Sequence, residues 1–144
     1  LPALALVAAY RERCWPLLDA AFVNDSNDLT LVVDDGRRRG DGAPVLVSYA
    51  TPSRARGHLD APHEAGPALT EATARAIGAT EPPIWHDVRR WSLAQPAQQR
   101  PMPFWSDGVI GLCGDAFGER SRVEAAWASG DALGRELAAT LGAR

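Results

Sequence analysis

The sequence predicts an α+β fold: an antiparallel sheet with flanking helices, ending in a strand, a turn and a long helix. Three observations support this. Apolar runs at 29–33 and 45–50 hold β-branched residues and are bounded by Asp, Asn and Gly. Thr51-Pro52, then Asp60 with Pro62, supply helix starts, since a side-chain oxygen can cap a first turn and proline suits its first position. From 122 to 141, apolar residues recur on one stripe at helical spacing.

Taken in order, residues 1–10 are apolar and Ala-rich and read as the tail of a helix. Residues 13–23 carry Cys14, Trp15, Leu17, Leu18, Phe22 and Val23, but Pro16 removes a ladder donor, so a bent or edge strand is expected. A turn at 24–28 leads to a strand at 29–33. The Gly/Asp stretch 34–43 reads as a loop, with Arg37, Arg38 and Arg39 at a solvated tip compensated by neighbouring carboxylates. A strand at 45–50 completes an antiparallel meander.

A short helix is expected over 52–58 and a longer one over 62–77, starting after Gly66-Pro67 if that pair interrupts it. Leu69, Ala72, Thr73, Ala76 and Ile77 share one side, and Gly78 is the stop. Glu81-Pro82-Pro83 is a rigid connector to a strand at 84–93. Residues 94–103, with Pro96, Pro101 and Pro103, read as an extended loop. A short buried strand is expected at 109–113. The last helix, 122–141, aligns Val123, Ala126, Trp127, Gly130, Leu133, Gly134, Leu137 and Leu141, with Trp127 in the core and Gly142 as the end.

Composition narrows the function. The chain has 144 residues and a net charge of −3, with no basic face interleaved with aromatics, so nucleic acid is not an expected partner. All 15 basic residues are arginine, which excludes a catalytic lysine in this chain. Cys14 and Cys113 sit in apolar contexts and are expected as buried, reduced thiols of a cytoplasmic protein. No Cys/His cluster has zinc spacing, and no metal is expected. The apolar run at 1–9 is far shorter than the ~18–20 residues of a membrane span, and no secretory signal is evident. The start at Leu1 suggests part of a longer protein.

Four segments carry a family resemblance. Residues 14–22 (CWPLLDAAF), 49–60 (YATPSRARGHLD), Arg90-Trp91 and above all 111–130 (GLCGDAFGERSRVEAAWASG) resemble the renalase-like branch of FAD-dependent amine oxidases. Arg89 and Leu93 depart from that pattern, which usually has His and Tyr there. The strand–GxGxxG–helix that holds the ADP pyrophosphate of such enzymes is not in this sequence.

The resemblance implies a partial substrate-binding domain over 1–104 and the C-terminal segment of an FAD-binding domain over 105–144. It implies FAD as cofactor and the N-terminal dinucleotide-binding half of the same protein as partner. Gly114, Asp115, Arg122, Val123 and Ala126 would bind the cofactor, Asp115 through the ribityl hydroxyls and the helix start through its free N–H groups. Arg89, Trp91 and Trp105 are the substrate candidates. The catalytic side chain is not identified. His86-Asp87 suggests a base and its orienter, but neighbours on a strand point to opposite faces. The expected activity of the intact protein is hydride transfer from an amine or a dihydronicotinamide-like molecule to flavin and then to oxygen, with the 144-residue piece inactive alone. The alternative is a non-catalytic module, binding a small molecule or a protein, that retains the substrate-domain fold.

Overall fold

Residues 1–142 are described by the structure, a computed structural model. Their contacts divide into two units, Leu1–Ala94 and a second from Gln95 onward. The break precedes the 104/105 division expected from sequence, so the proline-rich stretch at 95–103 belongs with the second unit.

The first unit is built on an antiparallel sheet of order β2-β3-β4-β1-β5. The strands are β1 Ala3–Ala9, β2 Ala20–Phe22, β3 Leu29–Asp34, β4 Val45–Ala50 and β5 Trp85–Trp91. The expected meander is β2-β3-β4. The stretch around Pro16 is irregular, and only the short β2 pairs, at the sheet edge.

β1 overturns the expected helix tail at 1–10. Alanine and leucine favour helix in isolation, but that preference is weak beside burial between two strands. Residues 5–9 pair with 45–49 of β4, and residues 3–9 pair with 85–91 of β5. Leu4, Leu6 and Ala8 are fully buried on one face, and Ala3, Ala5, Val7 and Ala9 alternate onto the other.

The expected loop at 34–43 contains a short helix, α1 Asp35–Arg39. Asp34 caps it by accepting from the Arg37 N–H at 3.0 Å, and Gly40 ends it in the left-handed region at φ 81°. The charges do compensate: Arg38 and Arg39 pair with Asp35, and Arg39 also with Asp41. Gly36 is required by space, since a Cβ there would lie 1.9 Å from the Ala43 carbonyl oxygen.

α2 Pro52–Arg56 is capped by the Thr51 hydroxyl, as expected. Pro62–Ala65 forms a 3₁₀ turn that runs into α3 Gly66–Ile77, with Pro67 in its first turn and Gly78 as its left-handed stop. α3 buries Leu69, Ala72, Thr73 and Ile77 against the face bearing Leu4, Leu6, Val32, Leu46 and Val88, while Ala76 is exposed. Thr73 and Ser48 are the buried polar pair in this layer, with hydroxyls 2.8 Å apart, and Thr73 also donates to the Leu69 carbonyl. The opposite sheet face, with Leu31, Val33, Val47, Tyr49, Val7 and Trp91, stays partly exposed.

In the second unit, β6 Trp105–Ser106 and β7 Gly111–Leu112 form a hairpin, and α4 spans Val123–Gly142. The Asp107 carboxylate accepts from the Ile110 and Val109 N–H groups at the hairpin turn, which hold its carboxyl below the usual carboxylate range. The strand expected as buried at 109–113 is shorter and exposed. Of the expected α4 stripe only Leu133 is buried; Trp127, expected in the core, is 71% exposed. The described part of this unit has few apolar groups to set against that stripe: Phe117, Ser129 and Leu133 are its buried residues. Both cysteines are free; Cys14 is half-buried, and Cys113, expected as buried, is exposed.

Candidate functional site

The turn between β7 and α4 is held from three directions. The Gly114 N–H donates to the Ser129 hydroxyl at 3.0 Å, and Ser129 is buried within α4. The Phe117 N–H returns to the Gly114 carbonyl at 3.1 Å. Residues 99–100 brace the loop from the side. The Arg100 N–H donates to the Ala116 carbonyl, and the Arg100 carbonyl accepts from the Gly118 N–H, each at 2.8 Å. With its amide set by the surrounding network, Gln99 donates to the carbonyls of Asp115, Ala116 and Gly118 and accepts from the Ser121 N–H, at 3.2–3.3 Å.

Within this braced loop the Asp115 carboxylate accepts a hydrogen bond from the Ser121 hydroxyl. Ser121 lies two residues before the first residue of α4. One hydrogen bond therefore joins the half-buried carboxylate to the approach of a 20-residue helix, whose first N–H groups lack intrahelical partners. Gly114 adopts φ 146°, and a Cβ there would meet nothing within 4 Å. The backbone at that corner is open to close approach.

Two clefts flank α4. One of about 410 Å³ is lined by Glu119, Arg120, Arg122, Glu124 and Ala125. The other, of about 480 Å³, includes Pro101, Phe117, Gly118, Ala128 and Ser129. Arg122 thus faces a cleft, whereas Gly114, Asp115, Val123 and Ala126 are not among the lining residues of either. Val123 is exposed, and the Ala126 N–H is already bonded to the Arg122 carbonyl.

Of the substrate candidates, Arg89 and Trp91 lie two apart on β5 and share the partly exposed sheet face. Arg89 pairs with Asp87 at 2.7 Å, across the same i, i+2 spacing. Trp91 is 60% exposed. Trp105 is in the second unit, opposite Leu112 in the β6–β7 hairpin. His86 and Asp87 sit in successive β5 positions opposite Ala8 and Val7, on alternate faces of the sheet.

Sequence reasoning missed Gln99, Ser121 as a direct partner of Asp115, and Ser129. Nothing in the local pattern distinguishes Gln99 from its neighbours Gln95 and Gln98. Ser129 carried a signal, a polar residue between small ones on a helix that packs closely against a glycine turn.

Among the described residues, no group of three or more His, Cys, Asp or Glu could hold a metal ion, and no helix is long and apolar enough to cross a membrane. No protein-family model matches this chain, and no curated protein matches it significantly.

Proposed function

We propose that this chain is the C-terminal part of an FAD-dependent oxidoreductase similar to the renalase-like amine oxidases. It would work with an N-terminal dinucleotide-binding half of the same protein, in the cytoplasm. The observation that supports this is the Asp115–Ser121 hydrogen bond, which keeps a carboxylate beside the approach to α4. A polyol tail needs an acceptor for its hydroxyls, and an electron-accepting ring is favoured by a positive pole nearby. The turn suits such a ligand, since Gly114 leaves the backbone uncovered next to Asp115.

Bound FAD would supply hydride acceptance, chemistry that no side chain of this chain provides. Asp115 would accept from ribityl hydroxyls. Gly114 would allow the chain to approach them. The first turn of α4, with Arg122 and Val123, would offer N–H groups to the ring. Ala126 would contribute smallness rather than its N–H, which is engaged with Arg122. On the first unit, Arg89 and Trp91 would orient an amine or dihydronicotinamide-like substrate and exclude water from it.

In the intact protein, Asp115→Ala should weaken FAD retention about 10- to 100-fold, the loss of one charge-assisted hydrogen bond, and leave turnover of the saturated enzyme less affected. Flavin absorbance per protein after gel filtration measures this, and equal flavin content in mutant and parent refutes it. A second reading is a non-catalytic binding module. The self-contained core of the first unit and its partly exposed apolar sheet face favour that one. An intact protein that stays colourless with added FAD would decide for it.

A further inference from the structure

The two edges of the first-unit sheet are unlike. β2, at one edge, has only three residues and follows the irregular stretch around Pro16. β5, at the other, pairs with β1 over seven residues without a register break and holds no proline or glycine. Proteins usually shorten, bulge or cover such an edge, because its outward N–H and C=O groups can pair with another strand. Which groups of β5 point outward follows from the ladder. The Tyr10 N–H donates to the carbonyl of Pro44, the residue opposite it when the β1–β4 register is continued. Even-numbered residues of β1 therefore turn their backbone groups to β4, and odd-numbered ones to β5. The β5 partners of the odd residues are Trp85, Asp87, Arg89 and Trp91. The backbone N–H and C=O groups of His86, Val88 and Arg90 thus face away from the sheet, with no backbone partner among the described residues.

The side chains divide by face. On the helix-covered face the Arg90 guanidinium donates to the Leu59 carbonyl, and His86 lies against Gly66. On the other face Trp85, Asp87, Arg89 and Trp91 form one row along the edge. Both tryptophans are more than half exposed, and Asp87 pairs with Arg89 of its own strand at 2.7 Å. Exposed tryptophans at both ends of an unblocked edge are the opposite of the usual protection.

We propose that the β5 edge pairs antiparallel with β5 of a second copy of this chain, with Val88 on the two-fold axis. The strand, WHDVRRW, is self-complementary about Val88. In that register Val88 faces its own counterpart and His86 faces Arg90, and these pairs exchange the outward backbone hydrogen bonds. Trp85 faces Trp91 and Asp87 faces Arg89, each twice by symmetry. These are the non-hydrogen-bonded pairs, where side chains come closest and aromatic or opposite-charge partners stabilise most. The alternative registers nearest to this one set Asp87 opposite Asp87 or Arg89 opposite Arg89, and like charges there are destabilising. The charge order of the strand therefore selects both the occupant and the register. The proposal does not rest on the flavin reading, since it concerns a sheet edge and is read out by mass and amide exchange.

The test is sedimentation equilibrium of the 144-residue chain up to millimolar concentration, with amide hydrogen exchange followed by NMR. A monomer–dimer equilibrium in the micromolar range is expected, and exchange at His86, Val88 and Arg90 should slow as the dimer fills. Asp87→Arg and Arg89→Asp each set like charges opposite one another and should each weaken the dimer at least ~10-fold, since two cross-strand pairs turn repulsive. An equimolar mixture of the two variants should associate again, because every 87–89 pair then joins an arginine to an aspartate. That recovery also shows that both variants are folded. A chain that stays monomeric, a dimer that leaves the amides of 86, 88 and 90 unprotected, or a mixture that associates no better than either variant alone overturns the proposal.

Discussion

The two units use their apolar residues in opposite ways. In the first, Leu4, Leu6, Leu46, Leu69 and Val32 lose all or nearly all solvent contact, because a sheet and α3 close over them. In the second, Val109, Ile110, Leu112, Val123, Trp127 and Leu141 remain more than half exposed. Both units hold well-formed helices, so helix formation is not what separates them. The difference is a second layer: an amphipathic element stabilises a fold only where something covers its stripe. Among the described residues no second layer covers the α4 stripe.

The largest expected effect tests that contrast outright. Residues 1–94 expressed alone should unfold in one cooperative thermal transition, and residues 95–144 alone should show none, since about 50 residues with so little buried surface lack a core. A cooperative melt of the second piece would remove the contrast.

Next in size is the polar anchor of the first unit. Asp34 is fully buried and accepts from Arg13 Nε at 2.9 Å, Arg13 Nη2 at 3.1 Å and Trp15 Nε1 at 3.0 Å. Burial alone would raise its carboxyl, but Arg13, the Arg37 N–H and Trp15 outweigh it and hold the group below the usual carboxylate range. Asp34→Ala should cost about 2–4 kcal/mol by denaturant titration, because the buried Trp15 Nε1–H and the Arg37 N–H that starts α1 both lose their acceptor. The folded pKa is depressed, so the stability is present above the unfolded value of about 3.9 and is lost as pH falls below it. Asp34→Asn should flatten that acid limb.

Smaller effects sharpen the comparison further. A Cβ at Gly36 would strike the Ala43 backbone, whereas one at Gly111 would meet only the end of the Leu133 side chain, at 2.8 Å. Gly36→Ala should therefore cost more than about 2 kcal/mol, and Gly111→Ala less than about 1.5, as Leu133 changes rotamer. Smallest of all, Trp127→Ser should shift the stability of this chain by under about 0.5 kcal/mol, as for an exposed position. The same change in an intact protein should matter if the α4 stripe is covered there.

Much of the first unit was legible in the sequence. The strands at 29–33, 45–50 and 84–93 announce themselves by β-branched or alternating residues. The Thr51 cap and the Gly78 stop mark helix ends by local hydrogen bonding. At the candidate site, the turn at Gly114-Asp115 and the helix after it were equally local. The brace by Gln99 was not, because it depends on a loop of no regular structure passing beside the turn.

What the amino-acid order determined by itself was local: caps, stops, turns, and the α+β alternation of periods. Tertiary structure alone decided β1, α1 and the fate of the last stripe. An Ala-Leu segment became the strand beside β4 because two neighbours offered it ladder hydrogen bonds and burial. Asp34 became a cap because Arg13 and Trp15 compensate its desolvation from 21 and 19 residues away. α4 kept its predicted helix but not its predicted burial, since periodicity specifies which face is apolar and only a neighbouring layer can cover it.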